Sequence, residues 1–398
     1  MAVDLTSFDA MLKEYFTNDK VMNLCNKDQP LMAWMPRMTE FYGDSLPIPI
    51  QYALGAGHSH TFTSAQANKN GGKYKSFALT RKKFYSLLSL DNETMMASES
   101  MKGAWAEART REIETLFQGN AELSAKDLVT NHGGALARGA SLNSTTLTLT
   151  NPEDTVHFWE GQVLQSSTAD GTSGSVKSGT ATVSAVDRDA GTITASFGGI
   201  TSFAATDYIF LNGSFGQAMH GLESWLPWTA PTGGDSFFGV NRSVDPTRLS
   251  GIRFDATNYD TIEGIERALA RFRREQAYPE TIFINHQRFM ECSLDLGSQY
   301  QRTQVKVGDN AYDTITFNNN GRKVRLVADQ NIPYIDGFAL KRDTWKWYTL
   351  GKAPHFPWKA NNNSIPEPTA DAIEIRVGWY GNLGCRAPGQ NGRIRFAA

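Results

Sequence analysis

The chain has 398 residues, with 39 Lys and Arg against 41 Asp and Glu, for a net charge of -2. That balance excludes a strongly basic nucleic-acid binder and a highly charged disordered chain. At roughly 100–200 residues per domain the length allows two to four folding units and a sizeable core.

Cys25, Cys292 and Cys385 are sparse, far apart and form no CxxC pair, so they read as thiols in a reducing compartment. Charges begin at Asp4 with no apolar run behind them, and no window approaches ~18 apolar residues. Neither a secretory signal nor a membrane span is expected.

Residues 1–45 read as an irregular arm. Phe8, Met11, Leu12, Tyr15 and Phe16 make one apolar helical stripe, while Pro30 and Pro36 argue against a long helix over 23–38. Such an arm needs the body or a neighbouring chain to bury against. Residues 46–92 carry two strand candidates. Leu46–Tyr52 alternates with prolines, which suits an edge strand, and Lys75–Leu88 is the second. A Gly-, Ser- and Asn-rich excursion, 55–72, joins them. A lone hairpin is marginal in water, so partners should prop it. His58 and His60 have no third ligand nearby and do not read as a metal site.

From Asp91 the pattern turns helical. Asp91 or Asn92 can cap, Glu93 suits the first turn, and Met101, Trp105, Ala108, Ile113, Leu116 and Phe117 follow helical spacing up to Gly119. A helix of about 25 residues, ~37 Å long, would act as a spine with this stripe as core. The segment 93–138 is assigned to it.

Residues 139–214 change character. Two basic and seven acidic residues give this segment -5 and leave +3 for the remainder. Ser, Thr and Gly dominate. Thr145–Thr150 alternates, and Thr180–Val186 with Thr192–Ser196 reads as a hairpin turning at Gly191. Phe158–Leu164 and Tyr208–Leu211 add strand candidates. This is a small acidic all-β module placed as an insertion.

The remainder is mixed α and β. Asp260 with Glu263 fits a capping box, and Ile262, Ile265, Leu269 and Phe272 form one apolar face. Thr281–Ile284 reads as a buried strand, and Asn285 can cap a helix through Leu296. Lys323–Ala328, Gly337–Lys341, Trp345–Leu350 and Ala372–Tyr380 read as strands, and 297–320 as a polar stretch. No catalytic or phosphate-binding motif occurs in its proper context. Among nine Trp, those at 225, 228, 345, 347 and 358 could line a sugar cleft, although Trp345 and Trp347 alternate as packing residues do.

An arm, an extended two-strand loop, a spine helix, an inserted β module and an α/β body together suit a self-assembling subunit. Pro279–Met290, Val324–Pro333, Gly337–Leu340 and the ending Gly381–Ile394 resemble the major capsid protein of tailed bacteriophages, the Hong Kong 97-type shell fold. The resemblance implies an α+β capsid fold with an N-terminal arm (1–45), an extended E-loop hairpin (46–92) and a spine helix of the peripheral domain (93–138). It also implies an inserted acidic β domain facing outward (139–214), a mainly axial segment (215–322), and axial and peripheral strands with the C-terminus (323–398).

No catalytic residue, cofactor or metal is implied. Lys69, Lys73, Lys75, Arg81, Lys82 and Lys83 are the expected inter-subunit contacts of the loop, the last three salt-bridging a neighbour's acidic surface. Implied partners are further copies in pentamers and hexamers, a separate scaffolding protein, a portal protein, non-specifically packaged double-stranded DNA and a possible decoration protein. The place is the virion, after assembly in the host bacterial cytoplasm. Two other readings remain open: an encapsulin-like nanocompartment shell, and a carbohydrate-binding β-rich protein.

Overall fold

Proline at the first position of a helix gives up an N–H that would be unpaired anyway, and Pro30 opens a short helix in this way, Pro30–Trp34. The computed structural model describes residues 29–93, 102–200, 203–295, 303–307, 310–319, 322–356 and 364–397. The apolar stripe at 8–16, Cys25 and Trp358 lie outside the described residues.

Strand β1 (Arg37–Met38) follows, then β2 (Ser45–Ala53) and β3 (Lys73–Thr80), which pair antiparallel as a two-stranded sheet. Between them runs the excursion, with a short helix at Phe62–Ala67. The expected single strand over 75–88 is broken at Arg81, because its halves serve different partners. β3 pairs β2, whereas β4 (Lys82–Asp91) joins a different sheet.

Helix α1 spans Lys102–Val129 and passes straight through Gly119, where the expected spine would have stopped. Glycine in a helix costs about 1 kcal/mol. Nearly every residue from Asn120 to Val129 is buried, including Leu123, Ala125, Leu128 and Val129, and that burial outweighs the penalty. Among the described side chains of α1 the core face is this later half; those of Met101, Trp105 and Ala108 lie outside the described residues. Ile113, Leu116 and Phe117, expected as core, are only half-buried.

Six strands then close into a barrel: β5 (Ala135–Asn143), β6 (Thr146–Leu149), β7 (Val163–Ser167), β8 (Ala181–Asp187), β9 (Thr192–Ala195) and β10 (Tyr208–Leu211). Their order around it is β10-β5-β6-β9-β8-β7. Alternation puts Leu147, Leu164, Ala181, Ile193 and Ile209 inside with Phe158. Phe158 itself follows a 3-10 turn, Pro152–His157, instead of starting a strand. Lys126 of α1 donates to Asp154 in that turn at 2.8 Å, tying the helix to the barrel.

The body holds two sheets. Its first elements are β11 (Ile252–Asp255), α2 (Thr261–Arg274), β12 (Thr281–Ile284) and α3 (His286–Asp295). Then come β13 (Thr303–Val307), β14 (Asn310–Asn319), β15 (Arg322–Ala328) and β16 (Asp336–Leu340). The chain ends with β17 (Trp345–Thr349), β18 (Ser364–Pro366), β19 (Ala372–Cys385) and β20 (Gly392–Arg395).

The seven-stranded sheet runs β11-β20-β16-β12-β15-β14-β13. Ile265, Leu269 and Phe272 of α2 pack in one cluster with its Ile252, Ile282 and Ile394. The polar stretch 297–320 thus contains a hairpin, β13–β14, recruited by β15 despite its weak apolar content. The capping box at Asp260 does not form: its side chain makes no cap hydrogen bond, and Glu263 pairs with Arg267 at 2.7 Å. Asn285 does cap, accepting from Gln287 N at 2.7 Å.

In the other sheet β19 is central, with β4 along one edge and β17 and β18 along the opposite edge. β1 extends it beside β17. Trp379 of β19 donates from Nε1 to Ser124 Oγ of α1 at 2.7 Å, fixing helix to sheet. Trp225, Trp345, Trp347 and Trp379 are all buried in one large cluster, so three of the tryptophans considered for a sugar cleft are core.

Candidate assembly surface

The hairpin β2–β3 is anchored at one end and bare at the other. At its root Ile48 and Ile50 of β2 and Phe77 and Leu79 of β3 are buried. Phe77 meets Trp225 edge to face at 5.0 Å. Ala78 N donates outward to Phe238 O at 3.0 Å, so the Ala78–Pro47 pair is of the type without mutual hydrogen bonds. Pro47 therefore sits where β2 would offer an outward N–H, and Pro49, two residues on, does the same. The outer edge of β2 lacks two of the donors that would template another strand.

Beyond Tyr52 the burial stops. Leu54 is 77% exposed, Phe62 81% and Tyr74 70%, and the short helix Phe62–Ala67 buries no residue. The chain nevertheless stays closed there. Ala56 N donates to Asn70 O at 3.0 Å, and a Cβ at Gly55 would come within 2.9 Å of that same oxygen. Large apolar side chains held out in water on a formed scaffold are the mark of an interaction surface. Phe62, isolated within a polar run, is the sequence signal for it.

No Asp or Glu occurs between Asp44 and Asp91, and the basic residues of that segment are the six named above. The structure divides them. The side chains of Lys69 and Lys73 are exposed and make no hydrogen bond or ion pair to described residues. Lys75 donates to Asn241 O at 3.2 Å and lies 5.9 Å from the Tyr52 ring centroid. Arg81, at the break between β3 and β4, lies 5.6 Å from the Phe41 ring. Lys82 turns inward and donates to Gly216 O at 2.9 Å, and burial lowers its pKa. Lys83 is exposed on β4. The basic run at 81–83 is thus not one outward face, because strand alternation turns its middle member into the protein.

Asn382, which the sequence did not single out, fixes the root. Its Nδ2 donates to Thr80 O at 2.9 Å and its Oδ1 accepts from His220 N and Leu383 N, both at 2.9 Å. The His220 ring stacks on His132 at 4.5 Å. Burial first, and then the neighbouring His132, Lys82 and Arg242, push the His220 pKa down to about 3. One side chain therefore joins the hairpin, the β4 sheet and the segment leading out of the barrel.

The described residues contain no group of three or more His, Cys, Asp or Glu able to hold a metal. His58 and His60 sit in the exposed excursion and not on a strand. Cys292 and Cys385 are buried, and burial pushes both thiols up to about 12, far from a reactive thiolate. No described helix is long and apolar enough to cross a membrane.

No family model matches the sequence, and no curated protein matches it. Solved structures do. A chain of the cyanophage A-1(L) capsid asymmetric unit is 12% identical, with 95% of each chain covered and a TM-score of 0.54. A chain from Mycobacterium phage Ogopogo is 11% identical over the whole of both chains, with a TM-score of 0.47. The SrpI encapsulin of Synechococcus elongatus is 8% identical over 98% of this chain and 94% of that one, with a TM-score of 0.46. The first likeness shows a shared fold along nearly the whole chain.

Proposed function

We propose that this chain is the major capsid protein of a tailed phage, a non-enzymatic subunit that tiles a closed shell around double-stranded DNA. The observation that carries the reading is the capsid fold shared over 95% of both chains, combined with a projecting hairpin whose apolar end is left unburied. In this reading β2–β3 is the extended loop that overlaps an adjacent subunit, and α1 is the spine. The β4–β19 sheet belongs to the peripheral domain and the seven-stranded sheet with α2 and α3 to the axial domain. The barrel is the inserted, outward-facing module. Segment 1–45 serves as an arm.

Shell closure needs heterologous contacts repeated by symmetry, as in pentamers and hexamers. Each contact can be small when a long hairpin adds area on a neighbour. The near-neutral net charge suits a wall that must contain DNA without gripping it. A separate scaffolding protein, a portal and a decoration protein complete the partners of this reading.

Electron microscopy of the recombinant full chain, with and without a co-expressed scaffold, tests it. Closed shells or capsomers support the reading, and a stable monomer under all conditions overturns it. Nucleic acid inside native particles separates a virion from a protein-filled compartment.

A further inference from the structure

A tight turn with strained backbone holds the outer edge of the hairpin. Phe237 N donates to Val240 O at 3.0 Å and Val240 N to Phe237 O at 2.9 Å, closing the turn over Phe238 and Gly239. Both central residues have positive φ, 48° at Phe238 and 79° at Gly239. That is the pattern of a type I′ turn, which favours Asn or Gly at both places. Glycine suits the second place, whereas a bulky aromatic residue at the first is strained. Strain of this kind persists only where the surroundings over-determine it, and it gathers at positions with a task.

The surroundings do so here. Arg242 Nε and Nη2 donate to the Asp235 carboxylate at 2.9 and 3.1 Å, and its Nη1 donates to Ser224 O at 2.8 Å. The same guanidinium lies 4.1 Å from the centroid of the Phe237 ring. The Phe238 ring lies 4.6 Å from that of His220 and 5.7 Å from that of Trp225, and Phe237 lies 6.1 Å from Phe77 of β3. So held, the turn delivers the Phe238 carbonyl to the outer edge of β3, where it accepts from Ala78 N at 3.0 Å. Lys75 of β3 adds its bond to Asn241 O. The next outward amides of the same edge, those of Ser76 and Tyr74, donate to no described residue.

We propose that the Phe237–Val240 turn is a clamp that presets the direction of the hairpin in the free subunit, with Phe238 as its positioning residue, and that assembly depends on this preset direction. The Phe238 backbone stays in its unfavourable conformation because its ring and its carbonyl together fix the turn between the body and β3. A projecting element already ordered loses less conformational freedom when it meets a partner. The clause on assembly rests on the shell reading.

Amide hydrogen exchange on the free full-length subunit, and particle yield after assembly, test the clamp in the wild type, Phe238→Asn and Phe238→Tyr. In the wild-type subunit the Ala78 amide should exchange at least about tenfold more slowly than those of Ser76 and Tyr74. Phe238→Asn suits the turn's backbone but removes the ring that seats it, so Ala78 should exchange about tenfold faster than in the wild type. Its particle yield should fall several-fold, while Phe238→Tyr keeps the ring and should match the wild type in both readouts. The wild-type comparison of the three amides stands even if Phe238→Asn does not fold. An Ala78 amide as fast as its two neighbours, or Phe238→Asn particles at the wild-type yield, would overturn the clamp and leave the shell reading intact. A wild-type chain that forms no particles would overturn the shell reading, while exchange at Ala78 would still decide whether the turn holds the hairpin.

Discussion

The side-chain amide of Asn382 donates to the carbonyl of Thr80 at 2.9 Å, joining residues 302 positions apart. Thr80 is the last residue of the hairpin and Asn382 lies within the long central strand of the neighbouring sheet. The projecting element is therefore aimed by a polar group of the body and held by the apolar packing of Phe77 and Leu79.

Replacing Asn382 by Ala leaves the Thr80 carbonyl and the His220 and Leu383 amide hydrogens without their partner. Unsatisfied buried groups cost about 1–3 kcal/mol each before relaxation. Asn382→Ala is expected to lower subunit stability by roughly 2–4 kcal/mol in urea unfolding. A loss below half a kcal/mol would show that the node does not hold the root.

The bare end of the hairpin should behave oppositely. Exposed side chains away from special features change folding stability by about 0.5 kcal/mol or less. Leu54→Ser, Phe62→Ser and Tyr74→Ser together should leave the subunit's unfolding midpoint nearly unchanged and strongly reduce sedimenting particles. Normal particle yield would remove these residues from the interface.

Within the run at 81–83 the three side chains should separate. Lys82→Ala leaves the Gly216 carbonyl without its donor and should cost the subunit about 1–2 kcal/mol. Arg81→Ala with Lys83→Ala should leave the fold intact and lower particle yield. Circular dichroism melts and sucrose-gradient yields of the two variants check this.

Stability against pH has two opposing parts. Burial lowers the folded-state pKa of His132, His157 and His220 below the ordinary 6.5. Their contribution is present above pH 6.5 and is lost as the unfolded chain takes up protons, through the folded value of about 3 for His220. Glu122 and Asp127 are raised to about 7, so their contribution is full below their ordinary pKa values, 4.5 and 3.8, and is lost as pH rises through 7. The two parts offset each other in the mildly acidic range, and the histidines alone act below about pH 4. His220→Gln should flatten the acid limb of the subunit's stability profile, and Glu122→Gln the limb around pH 7. An unchanged profile in both variants would contradict these environments.

Much of the frame was legible because it is written in local pattern. The apolar face of α2, the Thr-rich alternation of the barrel strands and the proline-marked edge of β2 depend on neighbours within a few residues. What was not legible depends on distant partners. The break at Arg81 arises because β4 finds β19, which lies far along the chain at Ala372–Cys385. Gly119 should have ended α1, but tertiary burial of Leu123 to Val129 carries the helix on. The hairpin β13–β14 is polar in composition and exists because β15 offers it an edge. The candidate surface was legible as cations without their directions: alternation on β4 turned Lys82 inward, and no pattern could show that Asn382 would bind Thr80.

The most direct measurement is cryo-electron microscopy of the full chain, expressed alone and with a candidate scaffolding protein. The account predicts closed shells or capsomers in which the β2–β3 hairpin lies on a neighbouring subunit with Leu54, Phe62 and Tyr74 covered. Shells in which that hairpin stays in solvent would contradict the interface, and a protein that remains monomeric in every condition would contradict the account itself.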